Sequence, residues 1–265
     1  MTAVGDAYES SARLWASGPE RMYAALAREL LASSGLPLAG LSVLDVGAGT
    51  GVAGRAALSA GARPVVCADL ALRMLRRCEA RTNPVVADAM ALPFLDRSFD
   101  LVVAAFCLGH LPDLGAGLRE TRRVGPWLAA SSFAPGWTHP AKAAIDEVLA
   151  RFGYEPPAWH ARFKRELEPR GSDPAELERL ARAAGYASAR LSTIRVATGL
   201  STAAEIASWR LGMAHVAPFV SSLEPRRRLA LTNAAESAVA GTEPVVVTML
   251  MLVASADDSE RARSG

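Results

Sequence analysis

Lysine is almost missing from this 265-residue chain. Only Lys142 and Lys164 stand among its 29 basic residues, and the rest are arginines. With so much alanine, that usage reads as the coding bias of a GC-rich bacterial genome. Cysteine is scarce as well. Cys67, Cys78 and Cys107 form no CxxC or Cys/His spacing, so neither a disulfide framework nor a zinc site is suggested and no metal is expected. No run approaches the roughly 18 apolar residues of a membrane span, and no basic start leads into an apolar signal segment. A reducing cytoplasm is therefore the expected setting, with no membrane partner. Charge of one sign is lacking too, because 29 basic residues face 27 acidic ones for a net +2. The basic clusters (Arg76-Arg77, Arg122-Arg123, Arg226-Arg227-Arg228) are short and suit solvated helix faces, so no nucleic-acid partner is expected. What remains is 51% apolar and 21% charged, the balance of a folded globular chain. Nothing in the sequence specifies an oligomeric state.

Strand-like and helix-like segments alternate. Met22, Leu26 and Leu30 at i, i+4 spacing predict one amphipathic helix over 8–32, stopped by Ser34, Gly35 and Pro37. Leu41–Val46 is a short apolar strand, followed by a glycine-rich turn and a small-residue helix closing near Gly61. Strands are predicted at Pro64–Asp69, Pro84–Asp88, Phe99–Ala105 and Trp127–Phe133, with helices at Leu72–Arg81 and Asp113–Val124. This alternation predicts a parallel sheet covered by helices on both faces. Residues 135–172 break the pattern with Trp137, Pro140, Tyr154, Pro156, Pro157 and Trp159. Asp173-Pro-Ala-Glu then starts a helix that ends at Gly185. A strand over Ala187–Val196, two helices within 201–240 and an apolar strand over Pro244–Ala254 complete the chain, and the polar tail 255–265 is expected to be disordered. There is no internal repeat.

Chemistry concentrates around Val43-Leu-Asp-Val-Gly-Ala-Gly-Thr-Gly51. Glycines 47, 49 and 51 between a strand and a helix let the backbone turn tightly and bring its N–H groups close to a ligand. Gly49-Thr-Gly-Val-Ala-Gly54 also matches G-x-G-x-x-G, so a nicotinamide or flavin site stays open on this motif alone. Charge weighs against it. Asp45, Asp69 and Asp88 stand at three strand ends, which a doubly wound sheet brings to one crevice, and no lysine or arginine lies in the turn. Such a crevice suits an ammonium, a ribose diol and an amino-purine better than a diphosphate.

These segments, in order, resemble the motifs of class I S-adenosylmethionine (SAM)-dependent methyltransferases, in particular the quinone-biosynthesis and small-molecule group. Beside the glycine turn stand Ala68-Asp-Leu with Met74-Leu75, then Ala87-Asp-Ala-Met-Ala-Leu-Pro-Phe94, Ser98-Phe-Asp-Leu-Val-Val and Leu108-Gly-His-Leu-Pro-Asp113. The resemblance implies an α/β, Rossmann-like, doubly wound and mostly parallel seven-stranded sheet with helical cap insertions. It divides the chain into lid helices (1–40), a SAM-binding core (41–134), a cap insertion (135–172), a core helix and strand (173–199), a helical cap insertion (200–242), a final core strand (243–254) and the tail. It also implies cofactor roles. Gly47, Ala48, Gly49 and Gly51 would pack on SAM, Asp45 would reach its amino group directly or through water, and Asp69 would accept both ribose hydroxyls. Leu70 and Met74 would lie against the nucleoside, while Asp88 would accept from the adenine amino group beside the backbone of Ala89 and Met90. Ala105 and Phe106 would floor the sulfonium, and Tyr8 would close over it. The chain departs from the family where Arg123-Val-Gly-Pro-Trp127 replaces the usual Pro-Gly-Gly turn before the fifth strand. It also lacks the Asn/Asp-Pro-Pro-Tyr/Phe motif of enzymes that methylate nucleobase or glutamine-amide nitrogens.

Methyl transfer to an acceptor that must lose a proton needs a base. His110, just past the fourth strand, is the first candidate and His215 the second, whereas His139 and His160 have no positional argument. The acceptor site is expected from Tyr23 in the leading helix and from the two insertions, through Trp137, Trp209 and Met213 with Trp159 and Phe219. Aromatic and methionine surfaces suit a planar or apolar small molecule, plausible for bacterial natural-product metabolism. The alternative is a SAM-binding cyclase or isomerase that uses the cofactor without transferring its methyl.

Overall fold

A computed structural model describes residues 3–257. Its centre is one seven-stranded sheet in the order β3-β2-β1-β4-β5-β7-β6. The strands are β1 (Val43–Val46), β2 (Val65–Asp69), β3 (Pro84–Val86), β4 (Leu101–Ala105), β5 (Trp127–Phe133), β6 (Ser188–Ala197) and β7 (Val246–Ser255). The first five run parallel, and β7 enters antiparallel between β5 and β6. Side-chain alternation makes both faces apolar. Val43, Leu101, Val103, Ala129 and Met251 face one core, while Leu44, Val102, Ala104, Leu128 and Leu252 face the other.

Twelve α-helices flank this sheet among the described residues: α1 (Ala3–Ser17), α2 (Pro19–Ser33), α3 (Val52–Ser59), α4 (Leu72–Leu75), α5 (Leu114–Val124), α6 (Pro140–Arg151), α7 (Ala158–Arg162), α8 (Glu168–Gly171), α9 (Pro174–Ala183), α10 (Ala203–Leu211), α11 (Ala217–Ser222) and α12 (Pro225–Ala238). Local chemistry fixes several starts. Asp113 accepts from Ala116 N–H to cap α5, Asp173 accepts from Ala175 N–H to cap α9, and Thr202 with Glu205 forms a capping box on α10. Helices α5 and α9 supply Leu114, Leu118, Leu177 and Ala181 to one core, and α2, α3, α6, α10 and α12 cover the other.

The structure corrects four boundaries. The single helix expected over 8–32 is two helices, because Pro19 opens a new one. Gly18 at the break lies against α10 so closely that a Cβ would stand 2.2 Å from the Ser208 carbonyl oxygen. The helix expected over 72–81 ends at Leu75, and the chain then turns inward so that Cys78 Sγ reaches the Gly49 carbonyl at 3.5 Å. Residues 201–240 hold three helices, since Gly212 packs where a Cβ would meet Pro19 and the Leu14 carbonyl. Ser255 pairs with Trp127 and Ser188 in the sheet, and the tail beyond 257 lies outside the described residues. The unusual Arg123–Trp127 turn is well tied. Arg123 donates to the Leu92 and Phe94 carbonyls and to Glu120, holding the loop after β3 against α5.

Candidate functional site

The strand ends and the loops that leave them enclose a cavity of about 560 Å³. Its floor begins with the turn from β1 to α3. Gly47 and Gly49 take φ of 67° and 55°, values that glycine alone adopts without strain. A Cβ on Gly47 would also collide with Cys107 Sγ at 2.4 Å. The Gly47 and Ala48 amides donate to the Ala68 carbonyl, which locks the turn onto the end of β2. Asp69, the last residue of β2, accepts from Gly49 N–H and Ala71 N–H, each at 2.8 Å. Burial raises its pKa, and those two amide bonds oppose the rise. Thr50 lines the same cavity, and its buried Oγ1 has no partner. Asp88 follows β3 and accepts from Met90 N–H at 2.9 Å.

All the residues the sequence points to for the cofactor line this cavity except Asp45 and Gly51. Asp45 is placed differently from the others. Its carboxylate turns away from the cavity and accepts from Gly54 N–H at 2.8 Å inside the first turn of α3. Buried almost completely, it has a pKa pushed up to about 7, chiefly by desolvation. Gly51 is likewise behind the wall, against Cys78 and Cys67. Both shape the turn from beneath.

Beyond β4 the chain enters a strained step. Phe106 takes a positive φ of 56°, which costs a side-chain-bearing residue roughly 1–3 kcal/mol. Its amide donates to the Ser131 carbonyl, and its ring meets Tyr23 and Phe133. Tyr8, Trp15 and Tyr23 from α1 and α2 form an aromatic roof, with the Trp15 and Tyr23 rings stacked at 5.0 Å. Tyr8 Oη lies 3.3 Å from His110 Nε2, while the buried Nδ1 of His110 has no partner. Burial lowers the His110 pKa to about 4, so this imidazole is neutral at neutral pH.

A second cavity, of about 350 Å³, adjoins the first. Tyr8, Tyr23, Phe106, His110 and Trp159 line both, so His110 stands at their junction. Tyr23, Trp137, Trp209, Met213 and His215 all line this second space. Phe219 stands behind it, against Tyr154. His139 caps α6 through Nδ1 and lies outside both walls.

The residues that sequence reasoning missed sit here. His160 stacks on His215 with ring centroids 3.7 Å apart, and Phe163 lies between His160 and His110 in the same column of rings. Burial drives His160 to about 4 and His215 to about 2, so the column is uncharged. Lys142, Lys164, Asp146, Glu168 and Arg210 also line the cavity. One signal was available, because both lysines of the chain are among them. Among the described residues there is no group of His, Cys, Asp and Glu arranged to hold a metal ion.

Comparison with known proteins agrees with this geometry. Residues 44–125 match the family described as a methyltransferase domain. A demethylmenaquinone methyltransferase of Corynebacterium urealyticum is 38% identical over 136 residues, which is 50% of this chain and 57% of that protein. The chain thus spans a little over half the length of that relative. Among solved structures, the SAM complex of Haemonchus contortus phosphoethanolamine N-methyltransferase 2 superposes with a TM-score of 0.54 at 18% identity, covering 87% of this chain and 52% of that one. The 4+2 cyclase SpnF superposes with a TM-score of 0.51 at 18% identity, covering 86% of this chain and 79% of that one. Residues 44–125 thus resemble a methyltransferase domain, and the seven-stranded sheet that carries them has the fold of these solved structures.

Proposed function

We propose that this protein transfers a methyl group from SAM to a small, planar and largely apolar metabolite. One observation carries the proposal: a cavity lined by Asp69, Asp88 and the glycine turn opens at His110 into a second, aromatic one. The first cavity fits SAM. Asp69 is positioned to accept from ribose hydroxyls, Asp88 from the adenine amino group, and the unpartnered Thr50 hydroxyl offers a hydrogen bond to the amino-acid end. Leu70, Met74, Ala89 and Met90 supply the apolar walls of the nucleoside half, and Ala105 and Phe106 the floor near the junction. When bound there, SAM supplies an electrophilic methyl group on a sulfonium.

The chain's own work is alignment and proton handling. Walls fixed by aromatic packing hold an acceptor at the junction, and such positioning is worth up to about 7–11 kcal/mol of barrier. His110 is neutral, and with Nε2–H donating to Tyr8 its Nδ1 keeps a bare lone pair for the acceptor's proton. His215 is the weaker candidate, since it faces His160 within the ring column. The roof from α1 and α2 and the helices α10–α12 form a lid in this proposal, with Trp15 pressed on Ala71 and Met74 to keep water from the sulfonium.

The relatives are named for methylation of demethylmenaquinone, and the ring-lined second cavity supports a planar acceptor here too. We place the reaction in the bacterial cytoplasm and in specialised metabolism. Bacterial relatives support the source, and no described helix is long and apolar enough to cross a membrane. The test is calorimetry with SAM, S-adenosylhomocysteine and NADH in parallel, followed by assay of S-adenosylhomocysteine release over a panel of aromatic acceptors. Binding of both adenosyl ligands, no NADH binding and acceptor-dependent release are expected. NADH binding would overturn the cofactor assignment. Absence of S-adenosylhomocysteine release with every acceptor of a broad panel, despite tight SAM binding, would favour the cyclase or isomerase reading.

A further inference from the structure

The charges around the second cavity do not cancel. Lys164 pairs with Glu168, and Arg210 pairs with Asp146 at 2.7 Å. Lys142 has no ion pair among the described residues. Its ammonium stands 4.9 Å over the Trp137 ring, near the like charges of Arg210 and Lys164 and the already paired carboxylates of Glu168 and Asp146, and burial lowers its pKa to about 8. The histidines on this wall are neutral and offset none of it. One cation is left over.

Unsatisfied hydrogen-bonding groups on the same wall are of both kinds. Trp209 Nε1 and Arg210 Nε are buried without a partner, and so are the Ser132 hydroxyl and the Nδ1 atoms of His110 and His160. The first two can only donate, as can the Lys142 ammonium at the outer end, whereas the hydroxyl and the neutral imidazole nitrogens can accept. Native interiors rarely leave buried donors unpaired, and a ligand can supply what the fold withholds. A ligand matched to the Lys142 end of the wall would bring acceptor oxygens and a negative charge. A neutral molecule would leave the Lys142 charge uncompensated.

The cavity also has a direction. At one end it shares Tyr8, Phe106 and His110 with the cofactor cavity. At the other it shares Trp137, Lys142, Lys164 and Glu168 with an outer groove that runs to Pro174. Aromatic rings line the space between. Residue usage adds an independent point: the chain uses arginine almost everywhere, yet both of its lysines lie at this outer end. An ammonium is a compact point charge on a flexible stem, suited to meeting an anion at a cavity mouth.

We propose that the methyl acceptor is a planar aromatic carboxylate. Its carboxylate rests on Lys142 at the outer end, its ring lies along Phe133, Trp137 and Phe163, and its nucleophilic atom faces His110. The inference rests on the methyltransferase reading above and narrows it to an anionic acceptor class, with Lys142 as the residue that sets that specificity.

A matched ligand pair tests it. Calorimetry on the protein saturated with S-adenosylhomocysteine compares 2-naphthoate with 2-naphthamide, which has nearly the same shape and no charge. Naphthoate should bind at least about tenfold more tightly. Lys142→Met should abolish that preference, Lys142→Arg should retain part of it, and Lys164→Met, whose ammonium is already paired, should change it less than about threefold. Affinity for S-adenosylhomocysteine should be the same in all four proteins. Equal binding of the pair by the wild type, a preference surviving in Lys142→Met, or no binding of either aryl ligand at millimolar concentration would overturn the inference while leaving the cofactor reading intact. Failure of S-adenosylhomocysteine itself to bind would overturn both.

Discussion

The two cavities that meet at His110 are built on different principles. The cofactor cavity is made largely of backbone: glycine amides, the ends of parallel strands, and carboxylates that first satisfy neighbouring N–H groups. Asp69 accepts from Gly49 and Ala71 before any ligand arrives, and Asp88 from Met90. The second cavity, the proposed acceptor site, is made largely of side chains from α1, α2, α6, α7, α10 and the segments between them, and it leaves the Lys142 ammonium without an ion pair among the described residues. The first is a general-purpose cradle set by the sheet. Apart from Ser132 and Phe133 of β5, the second can be changed residue by residue without touching the sheet.

Replacing the residue at their junction should give the largest effect. His110→Ala is expected to lower kcat by roughly 10²–10⁴-fold on the true acceptor, while the SAM Kd stays within about threefold. Unchanged turnover would remove His110 from the proton path. A pH profile sharpens the point. Because burial holds this imidazole near pKa 4, its base form persists well below the ordinary histidine range. The His110-dependent rate should be flat from pH 8 to 5 and fall only as pH drops through about 4. A fall centred near 6.5 would mean that the working base is another group.

Asp69→Ala should break the cofactor cavity alone. It removes the acceptor of two backbone amides and the proposed ribose contact, each bond to a charged group being worth about 1.5–3 kcal/mol. SAM affinity should drop at least about 100-fold in calorimetry. The 2-naphthoate preference over 2-naphthamide, measured at whatever S-adenosylhomocysteine concentration saturates the variant, should persist. Loss of both together would mean that the two cavities are one cooperative unit.

The same contrast explains what could be read from the sequence. Residues 43–113 announce the cofactor cavity because its parts are local: a strand, a glycine turn, and an acid at each following strand end. Apolar runs and glycine spacing also mark most of the sheet. The break at Gly18-Pro19 was legible in the proline but was masked by the continuous spacing of Met22, Leu26 and Leu30. The stop at Leu75 was not legible, because it depends on Cys78 reaching Gly49 across the sheet edge. The acceptor cavity hides for the same reason. Trp137 and Trp209 are brought within 6.4 Å by packing alone, and nothing local to His160 says that it will stack on His215, fifty-five residues on. Only the two isolated lysines gave a compositional hint.

Asp45 offers the finest test of the comparison, because sequence and structure assign it to different sides. As a cofactor ligand it would hold the ammonium of SAM, and Asp45→Asn would weaken binding severely. Placed under the turn with Oδ2 on Gly54 N–H, it is part of the scaffold, and Asp45→Asn should leave the SAM Kd within about threefold because an amide oxygen can accept the same bond. Stability should respond instead. The folded pKa, near 7, lies above the unfolded value near 3.9, so the unfolded chain releases this proton first as pH rises. Asp45 therefore withdraws stability progressively between about pH 4 and 7, by at most of order 4 kcal/mol, and the deficit stays constant above that range. Asparagine carries no such charge but brings an N–H₂ that needs its own partner, so the informative quantity is the trend and not the absolute Tm. Thermal melts of Asp45→Asn relative to wild type should improve by several degrees from pH 4.5 to pH 8. A flat difference across that range, together with lost SAM affinity, would return Asp45 to the cofactor cavity and would show that the turn reorganises when ligand binds.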